Sequence, residues 1–215
     1  DVRACLAIAA LAALLLVSRG GVAAADERLH GDDTYGRIEG DLSILAGAGV
    51  IFGPRAPRIA TELRARYLGS VGVFAGYEDG LGVWSSRPRR VVPLGLEARP
   101  VFLGRWLLGK ELGVAFVDLL LDSIGVDLGV FFAQPDGGSF ASRPGFSAGL
   151  GAEVPVFARA SGLHLTLRGG VRWSHESLAG APPGPEDRAL YGAVGVAWQE
   201  LFFGHVVDAG DRRDP

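Results

Sequence analysis

The chain has 215 residues, a formal net charge of −3 and 48% hydrophobic residues. So mild a charge excludes the basic face that nucleic-acid binding requires, and a lone cysteine, Cys5, excludes a disulfide framework and a thiolate metal site. Glycine, at 33 residues, has about twice its usual share, and Lys110 is the only lysine among 21 basic residues.

Arg3 precedes an unbroken apolar run, ACLAIAALAALLLV, from Ala4 to Val17. At 14 residues it falls short of the about 20 that a spanning helix needs. Ala23 and Ala25 follow with the spacing of a signal-peptidase site, so residues 1–25 are expected to be a secretory signal peptide. A flexible segment is expected over 26–34, a β-domain over 35–207 and a polar tail over 208–215. No later stretch of 18 or more apolar residues exists, which argues against a membrane-spanning helix.

From there the chain reads as strand after strand. Residues 37–52 place Ile38, Leu42, Ile44, Ala46, Ala48, Val50 and Phe52 opposite Arg37, Glu39, Asp41 and Ser43. In RIATELRARYLGSVGVFAGY, residues 58–77, Ile59, Leu63, Ala65, Tyr67, Val71, Val73, Ala75 and Tyr77 alternate with Arg58, Glu62, Arg64, Arg66 and Ser70. Residues 91–102 set Val92, Leu94, Leu96, Ala98 and Phe102 against Glu97 and Arg99. The run at 123–132 sets Ile124, Val126, Leu128, Val130 and Phe132 against Asp127, and that at 145–157 sets Phe146, Leu150 and Val154 against Ser147 and Glu153. Leu163, Leu165, Leu167, Val171 and Trp173 alternate with His164, Thr166, Arg168 and Arg172, and Leu190, Val194, Val196 and Trp198 share a face in the last run. Period-two alternation repeated in seven runs predicts an all-β, antiparallel protein.

Alternation by itself does not say which face is wet. A soluble barrel turns its apolar face inward, whereas a membrane barrel turns it to lipid. Here the runs are long enough for tilted membrane strands of about 9–11 residues. Phe52, Tyr77, Phe102, Phe132, Phe146, Trp173 and Trp198 fall on the apolar face near strand ends, where a membrane barrel carries its aromatic girdles. The opposite face pairs acids with arginines at short spacing. Arg37, Glu39, Asp41, Glu62, Arg64, Arg66, Glu97, Arg99, Asp127, Glu153, Arg168 and Arg172 are therefore expected to form a mutually neutralising network in a narrow lumen.

On these residues the chain resembles the small, eight-stranded outer-membrane β-barrel proteins of bacteria. The resemblance implies an up-and-down transmembrane barrel in the outer membrane, monomeric, with membrane lipid as its surroundings and a structural or surface-interaction role. It implies no cofactor, no metal and no nucleic-acid partner. Such barrels usually close on a terminal aromatic; here Phe202 and Phe203 are followed by GHVVDAGDRRDP.

Barrels of this kind have an even number of strands, and one piece is unassigned. GRWLLGKELGVAFVDLLLD, residues 104–122, holds either an eighth strand or a short helix over 105–121. With a strand there, both termini become periplasmic, 133–144 and 175–187 become outer loops, 158–162 an inner turn, and 78–89 a long inner turn.

The tightest polar cluster is RWSHESLAG, with Arg172, Ser174, His175, Glu176 and Ser177. It resembles the His-x-Ser-Asn-Ala-Gly run of the lipid A 3-O-deacylases. In that resemblance His175 is the base and Ser177 the nucleophile attacking an ester. Ala179 and Gly180 complete the match, Leu178 stands in place of the Asn, and Glu186 is the candidate acid. A polar loop beyond a Trp girdle gives the same residues without chemistry. A lipid ester hydrolase on the barrel scaffold is thus the second reading, and a soluble periplasmic barrel with an apolar, lipid-binding interior is the third. His30, His164 and His205 show no metal-ligand spacing; His164 alternates with Thr166 and Arg168 and is expected in the lumen wall.

Overall fold

Alternation becomes eight antiparallel strands: β1 Leu42–Phe52, β2 Arg58–Tyr67, β3 Val71–Asp79, β4 Arg90–Ala98, β5 Gly125–Gln134, β6 Gly145–Pro155, β7 Gly162–Trp173 and β8 Arg188–Phe202. In this computed structural model residues 42–53, 56–81, 88–134, 138–180 and 188–202 are described, all within the compact unit Gly31–Pro215. Each strand pairs with its sequence neighbour, and β1 pairs with β8 to close the barrel. The closing seam runs from Leu42 opposite Phe202 to Phe52 opposite Gly192. The segments 1–25, 26–34 and 208–215 lie outside the described residues.

The eighth strand arises inside the second run. Residues 58–77 are two strands, not one, joined by a tight turn in which the Ser70 amide donates to the Tyr67 carbonyl at 3.0 Å. Leu68 and Gly69 at its centre have φ of 47° and 62°, the left-handed pair that matches the twist of a hairpin. Tyr67 and Val71 are partners in the ladder. Because they are four positions apart, the outward face keeps its parity through the turn, and the alternation shows no break there.

Residues 104–122 accordingly hold no strand. They belong to a helical hairpin, α1 Pro100–Leu107 and α2 Ala115–Asp122, inserted between β4 and β5. Pro100 occupies the first turn of α1, where its fixed φ suits a helix and its missing N–H costs nothing. It therefore ends β4 before Phe102, which is a buried helix residue and not a strand-end girdle aromatic.

Two ends result. The hairpin, the 68–70 turn and the β6–β7 turn share one end with Leu42 and Phe202. The connections after β1, β3, β5 and β7 share the other. The link from Asp79 to Arg90 thus joins strand ends on the same side as Gln134 and Trp173, which corrects the assignment of 78–89 as an inner turn.

Apolar residues face outward. Leu63, Val73, Leu96, Leu128, Leu150, Leu167, Leu190 and Val196 are all exposed, Leu190 at 75% and Leu96 at 65%. The innermost side chains are arginines and carboxylates, with Arg66 at 1% and Glu153 at 2% exposed. The core of this protein is its charged lumen.

Candidate functional site: a charged barrel lumen

Along β2, Arg58, Glu62, Arg64 and Arg66 project inward at every second position or multiple of it, and the pairing of the neighbouring strands presents partners to them. Arg64 is the centre of one cluster. Its Nη1 and Nη2 donate to the two carboxylate oxygens of Asp127, each at 2.9 Å. Nη1 also reaches Glu97 at 2.8 Å, and Nε donates to Glu62 at 2.9 Å. Arg66 donates to Glu97 at 2.9 Å, to the Gln199 side-chain oxygen at 3.0 Å and to Glu153. Glu153 further accepts from Arg99 at 2.5 Å and from Arg168 at 2.8 Å. Arg168 returns to Glu62 at 2.9 Å.

Four arginines and four carboxylates make this cluster neutral. That balance is what permits burial, since a lone charge out of water costs several kcal/mol or more, whereas a paired and fully hydrogen-bonded one is tolerated. Gly151 opens the space the network needs: a Cβ there would stand 2.2 Å from Arg168 Nη1.

Toward the loop end a second cluster forms around Glu78. Arg58 Nε donates to it at 3.1 Å, and Arg172 Nη1 and Nη2 at 2.9 and 2.5 Å. The Arg172 guanidinium lies 4.5 Å from the Tyr191 ring centre and 5.6 Å from that of Phe131, and Arg64 lies 4.9 Å from Phe74. These contacts are of cation–π geometry. Between the two clusters remains a cavity of about 90 Å³, lined by Glu62, Arg64, Thr166, Arg168, Arg172 and Tyr191 among others.

The sequence-expected network residues Glu62, Arg64, Arg66, Glu97, Arg99, Asp127, Glu153, Arg168 and Arg172 all meet in the lumen. Arg37, Glu39 and Asp41 lie outside the described residues. Sequence reasoning missed Glu78, placed in a loop, and the inward aromatics Phe74, Phe131 and Tyr191. The signal for Glu78 was parity: it shares even numbering with Arg58, Glu62, Arg64 and Arg66. His164 is buried in the β7 wall, its Nδ1 3.0 Å from the Gly162 carbonyl.

The outer aromatics gather at both ends. Phe52, Tyr77, Phe132, Phe146 and Trp173 mark the loop end, where Phe146 and Trp173 stack at 5.7 Å and the Tyr77 hydroxyl donates to Asp79 at 3.0 Å. Trp198 stands toward the other end, its Nε1 donating to Glu200 at 3.0 Å. Tyr67 and Phe202 join it there, and neither was counted in the expected girdle.

His175 and Ser177 sit in a one-turn helix, α3 His175–Leu178, just beyond β7. Ser174 caps it, its side chain accepting from the Ser177 amide at 3.1 Å. This explains the Ser-rich run as a helix start. His175 Nε2 lies 3.4 Å from Arg143 Nη1. Among the described residues no hydrogen bond joins His175 to Ser177, because residues two apart on a helix do not face each other. Glu186 lies outside the described residues.

No protein-family model matches the chain, and no curated protein does. Among solved structures it is similar to the N-terminal β-barrel domain of Pseudomonas aeruginosa OprF, at 11% identity and a TM-score of 0.44, over 75% of this chain and 99% of that one. It is similar also to Acinetobacter baumannii CarO2, at 13% identity and a TM-score of 0.43, over 74% and 99%. Ail, the attachment invasion locus protein of Yersinia pestis, shows 11% identity and a TM-score of 0.33, over 75% and 99%. No residue role is carried over from them.

Proposed function

We propose that this chain is an integral β-barrel of the bacterial outer membrane, exported by the signal at 1–25, monomeric, and structural or surface-interacting in role. One observation carries the reading: the polarity of the barrel is inverted. Its outer face bears Leu63, Val73, Leu96, Leu128 and Leu150, and its interior bears Arg58, Arg64, Arg66, Arg99, Arg168 and Arg172 with five carboxylates. In water this arrangement forfeits the hydrophobic effect. Lipid suits it, because a closed barrel leaves no unpaired strand edge and its apolar band meets hydrocarbon.

The same interior speaks against the third reading, since a lipid-binding barrel needs an apolar lumen. It also favours a plugged barrel over a channel. Eight strands leave room only for side chains, and here those side chains are tied across the lumen.

The test is extraction and gel mobility. The protein is expected to require detergent for release and to migrate differently before and after boiling. Recovery in the soluble periplasm without detergent overturns the proposal. In planar bilayers the wild-type protein gives no steady conductance step; a stable step overturns the plugged lumen while leaving the membrane reading in place.

A further inference from the structure

The hairpin of α1 and α2 exposes more apolar surface than a segment outside the strands requires. Trp106, Leu107, Leu108, Leu112, Val114 and Phe116 are all open, Leu107 at 73%. The charged groups of the two helices are turned the other way, and only Lys110 and Glu111 of the connecting segment are not. Asp118 is fully buried and Asp122 nearly so. Both are held by Arg105, whose Nη1 donates to Asp122 at 3.0 Å and whose Nη2 donates to Asp118. The Leu112 and Gly113 amides donate to Asp118 at 2.9 and 3.0 Å. The hairpin thus buries its acidic pair together with Phe102 and Leu119 and leaves a second, larger set of apolar side chains open.

An amphipathic helix in water buries its apolar stripe. One that turns it outward has a second apolar phase to meet. The hairpin starts directly beyond Ala98 and returns just before Val126, two partners on the outer wall whose neighbours Leu96 and Leu128 belong to the apolar belt. α2 packs on β6, and the turn leaving β6 exposes Val156 and Phe157 at the same end. Each helix has 8 residues, about 12 Å of rise, which is too short to cross a core of about 30 Å.

We propose that this hairpin lies in the headgroup layer of the leaflet on the side of Leu42 and Phe202, with lipid as the occupant of its exposed face. The proposal rests on the membrane reading above. Trp106 supplies the ring type that settles at that depth, and Lys110 and Glu111 in the connecting segment supply polar groups to the headgroups. Continuity with the lipid-facing wall is what favours lipid over a second copy or another protein.

The experiment reconstitutes the full chain in phosphatidylcholine vesicles carrying bromines on the acyl carbons nearest the carbonyl. Emission of wild type is compared with that of Trp106→Phe, so that the difference reports Trp106. That difference signal is expected to lose roughly half its intensity to the shallow bromines, a depth of about 5–10 Å being typical of interfacial helices, and to be shielded from aqueous iodide. Quenching by iodide with no response to bromolipid, while Trp173 and Trp198 respond, overturns the proposal and leaves the membrane reading standing. Shielding of Trp106 from both quenchers also overturns it and points to a protein surface on the hairpin. If no tryptophan responds to bromolipid, the membrane reading itself fails.

Discussion

Arg64 of β2 grips Asp127 of β5 across the lumen through two parallel hydrogen bonds of 2.9 Å, from residues 63 positions apart. This fork ties together walls that share no backbone ladder, and with Glu62 and Glu97 it makes Arg64 a cross-brace of the barrel. It also means that the charges in the lumen are coupled, so removing one exposes another.

Arg64→Met is expected to destabilise the barrel by about 3–5 kcal/mol, because the buried cluster is left with one carboxylate in excess and Asp127 keeps only Arg168, at 3.7 Å. Adding Asp127→Leu restores neutrality to the cluster and should recover most of the loss. Urea unfolding in lipid vesicles measures both, and a double variant no more stable than the single one refutes the coupling.

Glycine at 49 keeps the closing seam shut. A Cβ there would meet the Val194 carbonyl oxygen at 2.3 Å and Gly195 Cα at 2.5 Å, backbone atoms that retreat only by opening β1 from β8. Gly49→Ala should cost about 1–3 kcal/mol. Gly192→Ala, outward and with nothing within 4 Å, should be neutral or stabilise by up to about 1 kcal/mol through the unfolded chain. The same unfolding assay separates them.

Leu63 lies mid-strand on the outer face and is 52% exposed. On a water-soluble protein Leu63→Arg is harmless. In a bilayer it should cost about 2–4 kcal/mol, so the stability of this one variant in lipid reads the medium of the wall.

Asp118 lies outside the strands, and its acidity bears on the hairpin. Burial opposes its ionisation. The amide donors at Leu112 and Gly113 and the Arg105 guanidinium outweigh burial and hold the carboxyl below the ordinary Asp value of 3.8. A lowered folded-state value means that the stabilisation is present above the ordinary value and is lost as pH falls through the folded one. Trp106 emission should therefore stay constant down to about pH 4 and shift below it. Asp118→Asn should abolish that acid transition, and an unchanged acid transition in this variant refutes the assignment.

Purified protein should release no acyl chain from lipid A, given where α3 places His175 and Ser177. Release that disappears in Ser177→Ala would restore the esterase reading.

The sequence by itself determined the two-faced strands, the side on which the charges lie and most of the residues in the lumen. Side-chain alternation is a local property of an extended chain, so Glu62, Arg64 and Arg66 declare a shared face without reference to any partner. Tertiary structure alone decided three things. It turned the chain back at Leu68 and Gly69, where unbroken parity erases the usual signature of a turn. It made 100–107 and 115–122 helical, since helices of 8 residues span only about two turns, too few for a 3.6-residue period to stand out from the sequence. And it chose the polar partners: Arg66 meets Glu97, Glu153 and Gln199 over separations of 31, 87 and 133 residues, separations that only the register of a closed barrel brings within a hydrogen bond.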